Sequence, residues 1–200
     1  MIALRLPESV TVSGREYAIR SDFRTVIEIL VALADPELDQ QGKAEVVLKC
    51  FYPDYEEIRK EDAEAALKAA AVFIDGGEEL PESARRHRLM DWEHDFDHII
   101  APVNRVLGYE ARAVPYREEY DEETGAWHSE GGLHWWTFLA AYMEIGGECA
   151  MAQIVSLRDK LARGKKLEKH EREWYNRNRE LVDIPQKLSD AEDAILKEWT

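Results

Sequence analysis

On either side of Ser13-Gly14 the chain alternates apolar and polar positions, with Val10 and Val12 before the turn and Tyr17 and Ile19 after it. A period of two around a Ser-Gly turn predicts an antiparallel β-hairpin, with Ile2 to Leu6 as a candidate further strand. So short a hairpin is stable only when it leans on another element. From Phe23 the period changes. Phe23, Val26, Ile27, Leu30 and Leu33 recur at helical spacing, with Ser21 as N-cap and Asp35-Pro36 as the stop. Two more helices are expected over about Gly42 to Phe51 and Glu61 to Asp75, the second ended by Gly76-Gly77. Between them Asp54 to Glu57 reads as a capping box opening a helical turn.

The pattern resumes at Asp91. Trp92, Phe96, Ile99, Ile100, Val103 and Leu107 predict a helix closed by Gly108, with a kink or break near Ile99 because Pro102 lies inside it. The polar stretch from Tyr109 to Gly131 predicts a two-stranded excursion. Helical spacing then returns over Leu133 to Ile145, about Glu148 to Leu161, and Lys165 to Leu181, and Ser189 to Glu192 reads as the capping box of a short last helix.

The expected fold class is therefore mainly α, a bundle-like helical domain with a small N-terminal antiparallel β-hairpin. The organisation read from composition is a hairpin-plus-helices part over 1–77 and a polar linker or exposed loop over 78–90. A helical part carrying the Trp-rich helix follows over 91–185, with a C-terminal extension over 186–200. One continuous core with a long exposed loop is the other reading.

Charge narrows the function classes. The chain has 41 acidic and 26 basic side chains, a formal net charge of -15. A phosphate backbone or an anionic membrane is repelled by such a body, so neither nucleic acid nor membrane is expected as a partner. The first residues carry no secretory signal pattern, and no apolar run is long enough to span a bilayer. Cys50 and Cys149 sit in apolar helical patterns and read as small core side chains in a reducing cytoplasm.

Three stretches carry candidate chemistry. In "DWEHDFDH", Asp91, His94, Asp95 and His98 are spaced i, i+3, i+4, i+7 and share one helical face. Two imidazoles with carboxylates beside them could hold a divalent metal, which would make the chain a metal-dependent enzyme. The competing reading, which the pattern favours, is a solvated face opposite Trp92, Phe96, Ile99 and Val103. Cys149 at a helix start resembles a thiol activated by the dipole, but the apolar residues continuing around it favour a core thiol. The run Arg158 to Glu173 is rich in lysine and arginine, yet its interleaved glutamates predict a salt-bridged, exposed helix. No nucleophile elbow, P-loop or dinucleotide fingerprint occurs, so no enzyme class and no cofactor are expected.

The stretch "GLHWWTF" stands apart. On a helical wheel Leu133, Trp135, Trp136, Phe138, Leu139, Tyr142 and Met143 spread over more than half of the circumference, leaving His134, Thr137 and Glu144 the polar remainder. An apolar stripe that wide makes the helix central to the core or part of an interface. A base-stacking platform would need cations, and none are near. Leu133, Trp135, Trp136, Leu139 and Met143 are the candidate core-organising or partner-binding residues. His134 is expected to cap or hydrogen-bond.

"LHWWTFLAAYMEI" (Leu133 to Ile145), "MAQIVSLRD" (Met151 to Asp159) and the charged "KKLEKHEREWYNRNREL" helix resemble the bacteriophage gene-product-fifteen family. "FRTVIEILVAL" (Phe23 to Leu33), "KAEVVLKCFYP" (Lys43 to Pro53), "FIDGG" (Phe73 to Gly77) and "MDWEHDFDHIIAPV" (Met90 to Val103) extend the resemblance from Asp22 to about Pro185. Its most specific element is the His-Trp-Trp stretch. The resemblance implies a non-enzymatic tail assembly chaperone of siphophages, with the tape-measure protein or another tail protein as partner. Such a protein acts in the host cytoplasm and is absent from the mature virion; a homo-oligomer is compatible with this. A minor structural tail-completion protein is the alternative role.

Overall fold

The computed structural model describes residues 5–78, 89–121 and 126–185. Residues 2–4 of the candidate further strand, residues 79–88 of the expected linker and the whole 186–200 extension, with its Ser189 to Glu192 capping box, lie outside these. The chain divides into two compact units, one of Met1–Leu80 with Arg112–Ala140, the other of Pro81–Ala111 with Ala141–Thr200. The fold is mainly α with an N-terminal antiparallel hairpin, as the alternation and the helical periods require. Among the described residues no helix is long and apolar enough to cross a membrane.

In the first unit β1 (Ser9–Val12) pairs with β2 (Arg15–Ala18), Val10 opposite Tyr17. Ser13 and Gly14 both have positive φ (50° and 83°), the two-residue turn whose twist suits a hairpin. Val12, Tyr17 and Ile19 turn into a core shared with three helices, α1 (Phe23–Leu33), α2 (Gln40–Phe51) and α3 (Ala63–Ile74). Each helix buries one stripe: Phe23, Val26 and Ile29 on α1, Val47 and Phe51 on α2, Ala66, Ala70 and Phe73 on α3. Asp22, not the expected Ser21, caps α1 through its carboxylate, and Asp39 caps α2 by accepting from the Gly42 N–H at 2.7 Å. The expected capping box at Asp54 is instead a single 3₁₀ turn, Tyr55–Glu57, with no side-chain cap. The polar excursion forms β3 (Tyr116–Asp121) and β4 (Ala126–Gly131), an antiparallel ribbon with Tyr120 opposite Trp127. The Trp-rich helix α5 (Trp135–Met143) follows.

The second unit holds α4 (Trp92–Leu107), α6 (Ala150–Ala162), α7 (Lys169–Arg177) and α8 (Arg179–Val182). Pro102 does not break α4, which is continuous to a left-handed Gly108 cap. Leu157, Leu167 and Val182 form an apolar cluster against which Trp174 and Tyr175 pack.

Two expectations for this unit fail, and for one reason. The face of Asp91, His94, Asp95 and His98 is not solvated. Asp91 is 3% exposed and Asp95 fully buried. Arg158, expected on an exposed helix, is itself buried, and its guanidinium meets both Asp95 carboxylate oxygens at 2.6 and 2.9 Å. It also donates to the carbonyls of Leu89, Leu181 and Val182. Asp95 further accepts from the Asp91 N–H, so each group is fully hydrogen-bonded, the condition for burying charge. The predicted Lys165 to Leu181 helix is likewise two helices, α7 and α8, and a Lys160–Glu171 ion pair joins α6 to α7. Cys149 is only partly buried. It caps α6, its sulfur accepting from the Ala152 N–H at 3.4 Å; Cys50 is also partly exposed.

Candidate functional site

The segment before α5 is held in place through Asp22. Its carboxylate accepts from the Leu133 N–H at 2.8 Å and pairs with Arg24 at 3.0 Å; Arg24 in turn donates to the carbonyls of Arg112 and Val114. Backbone bonds from Phe23 N–H to Leu133 and from Trp135 N–H to Ser21 continue the pairing across an Asp22–His134 bridge. This close approach needs glycine. Gly132 has φ 85°, and a Cβ there would fall 2.6 Å from the Asp22 carboxylate and 2.9 Å from the Tyr116 ring.

So positioned, the two tryptophans meet the end of α3. The Trp135 indole N–H donates to the Ile74 carbonyl and the Trp136 indole N–H to the Phe73 carbonyl, both at 2.8 Å. These are among the last carbonyls of a helix, which lack intrahelical donors. The same terminus is closed by Gly76 N–H to Phe73 and Gly77 N–H to Val72, the paired bonds of a Schellman end. Both glycines are left-handed, and a Cβ on Gly77 would lie 3.1 Å from the Trp136 ring. Trp135 is 1% exposed and stacks on Phe138, which stacks on Phe23 at 4.7 Å between ring centroids. Trp136 is half-buried and stacks on Phe73 at 5.7 Å.

His134 joins this arrangement to the N-terminal segment. Its Nδ1 accepts from the Trp136 N–H at 3.0 Å, so the ring proton sits on Nε2, which donates to the Pro7 carbonyl at 2.9 Å. Burial lowers the imidazole pKa, and the Pro7 carbonyl and Glu8 partly oppose this. Pro7 and Trp136 both line an open groove of about 480 Å³, together with Val10, Ala65, Ala69 and Val72. Its lining is apolar apart from Thr11 and Lys68.

Of the five candidate residues, Leu133 and Trp135 are buried, Leu139 packs over Gly76, and Trp136 faces the groove. Met143 belongs to the other unit and is 71% exposed, so it is not part of this cluster. His94 and His98 are half-buried on α4, and among the described residues no three histidine, cysteine or acidic side chains come together as a metal-binding group. Sequence reading missed Asp22, Pro7 and the Asp95–Arg158 pair. Only Asp22 carried a signal, as an acidic residue directly before a helix.

No curated protein and no solved structure matches the chain. A family described as bacteriophage Gp15 protein matches residues 2–110. The match spans the hairpin and α1 to α4 and stops short of the His-Trp-Trp stretch, so the likeness does not depend on that stretch. Over more than half of its length the chain thus has the pattern of a phage protein, and it belongs to the bacteriophage Gp15 family.

Proposed function

We propose that this phage protein is a non-enzymatic tail assembly chaperone that keeps the tape-measure protein soluble in the host cytoplasm and leaves before the virion matures. The observation that carries the reading is an open apolar groove, ending on a half-buried tryptophan, in a body of net charge -15. A holdase needs both: apolar surface to cover exposed client segments and net charge to keep the complex dispersed. The same charge weighs against nucleic acid and membrane as partners. The metal-enzyme reading is disfavoured because Asp91 caps α4 and the Asp95 carboxylate is engaged by Arg158.

Co-expression with the tape-measure protein tests this. The partner's soluble fraction should rise with this chain present and fall without it; an unchanged fraction refutes the chaperone role. Mass spectrometry of purified particles separates a chaperone, absent from them, from a minor tail-completion component, present in them.

A further inference from the structure

We infer that the groove between β1 and α3 receives an α-helix whose apolar stripe is flanked by lysine or arginine. The inference rests on the chaperone reading for the source of that helix, but not for the chemistry of the groove.

Three features select the occupant. Ala65 and Ala69 lie one turn apart on the partly open side of α3 and let a second helix approach closely, with Val72 and Phe73 continuing the same lining. Val10 and the Trp136 ring add apolar surface for its larger side chains, the arrangement in which an amphipathic helix lays its apolar face into a groove. Charge then decides between partners. Lining residues Pro7, Ala65 and Gly77 each have an exposed glutamate as chain neighbour: Glu8, Glu64 and Glu78. Lys68 is the one charged side chain in the lining and is already engaged. The three glutamates therefore leave the surroundings of the apolar floor net acidic, which complements cationic flanks.

The same acidity disfavours a second copy of this chain, since two bodies of charge -15 would bring like charges together. A small molecule would need polar groups aimed into the cavity to orient it, and among the described residues no buried side-chain nitrogen or oxygen lacks a hydrogen bond.

The test uses the full chain and a fluorescent synthetic helix of about eighteen residues with leucines at i, i+3, i+4 and i+7. One version carries lysines flanking the stripe and the other glutamates. Anisotropy titration should show the lysine version binding at least about tenfold tighter at low salt, with the difference shrinking toward about 0.5 M. Ala65→Trp, on an exposed position that tolerates bulk, should weaken binding about tenfold with the unfolding midpoint unchanged. Glu64→Lys/Glu78→Lys should erase the lysine preference, and Met143→Glu, in the other unit, should change nothing.

Equal binding of both peptides overturns the inference, as does full binding by Ala65→Trp or complexes that prove to be dimers of this chain. If the peptide results hold but the tape-measure protein is not solubilised, the chaperone reading fails and the groove chemistry stands. If solubilisation occurs and survives Ala65→Trp, the chaperone reading stands and the groove is not its site.

Discussion

Replacing Asp95 by Asn should be among the most damaging single-atom-scale changes in the second unit. The carboxylate is fully buried, meets the Arg158 guanidinium at 2.6 and 2.9 Å, and accepts the Asp91 N–H at 2.9 Å. Asparagine keeps the volume but turns an NH2 toward an N–H donor and leaves Arg158, 6% exposed, charged without a counter-ion. Removing one partner of a buried pair costs about 3–5 kcal/mol, because the other charge stays desolvated. At about 2–4 °C per kcal/mol for a chain of this size, the melting transition of this unit should fall by about 6–20 °C.

Arg158→Met should cost at least as much. It also strips donors from the Leu89, Leu181 and Val182 carbonyls, and each carbonyl left dry costs about 1–3 kcal/mol. Asp95→Leu/Arg158→Met removes both charges and should be less damaging than the sum of the singles, yet short of wild type because those carbonyls remain. Urea titrations of all variants, followed by circular dichroism and tryptophan fluorescence, give the cycle. If Asp95→Asn unfolds within about 0.5 kcal/mol of wild type, the pair does not lock this unit through a buried charge. Strict additivity would mean that Arg158 acts through the carbonyls alone.

Trp135→Ala should cost about 3–5 kcal/mol, and Trp136→Ala clearly less, because the first ring is buried and the second is half-open to the groove; equal losses in denaturant titrations would reverse the assignment. Gly132→Ala should destabilise by more than the roughly 1–2 kcal/mol of a left-handed backbone alone, since its Cβ collides with Asp22 and Tyr116, whereas Gly14→Ala meets open space. Comparing their midpoints checks this, and a milder effect at Gly132 contradicts the close approach. The His134 imidazole pKa is lowered in the folded chain, so the unfolded chain binds the proton more readily. The stability this group contributes is present above its unfolded value near 6.5 and is lost as pH falls through the folded value. Midpoints measured down to acid should show that loss in wild type and not in His134→Gln; parallel curves would exclude it.

The elements themselves were legible because their signals are local. Alternation around Ser13-Gly14, helical spacing from Phe23, Gly76-Gly77 and Gly108 each act through nearby backbone geometry, and each marks an observed strand, helix or stop. Cap identity was less legible, since Ser21 and Asp22 are both good caps. What separates them is that Asp22 also receives the Leu133 N–H, from 111 residues away.

The candidate site divides along the same line. A helical wheel showed that α5 has a wide apolar stripe, but not what covers each part of it. Only the folded chain places Trp135 under Phe138, Trp136 on the groove and Met143 in solvent. The acidic face of α4 shows the limit most clearly. Periodicity grouped Asp91 and Asp95 on a polar face, where solvent is the usual neighbour, yet Asp95 is as fully buried as Ile99 one turn further on. Arg158, 63 residues further on, takes the solvent's place. A local pattern determines which side of an element is polar. Whether that side meets water or an opposite charge is decided by tertiary contacts, because burial depends on neighbours that are distant in the chain.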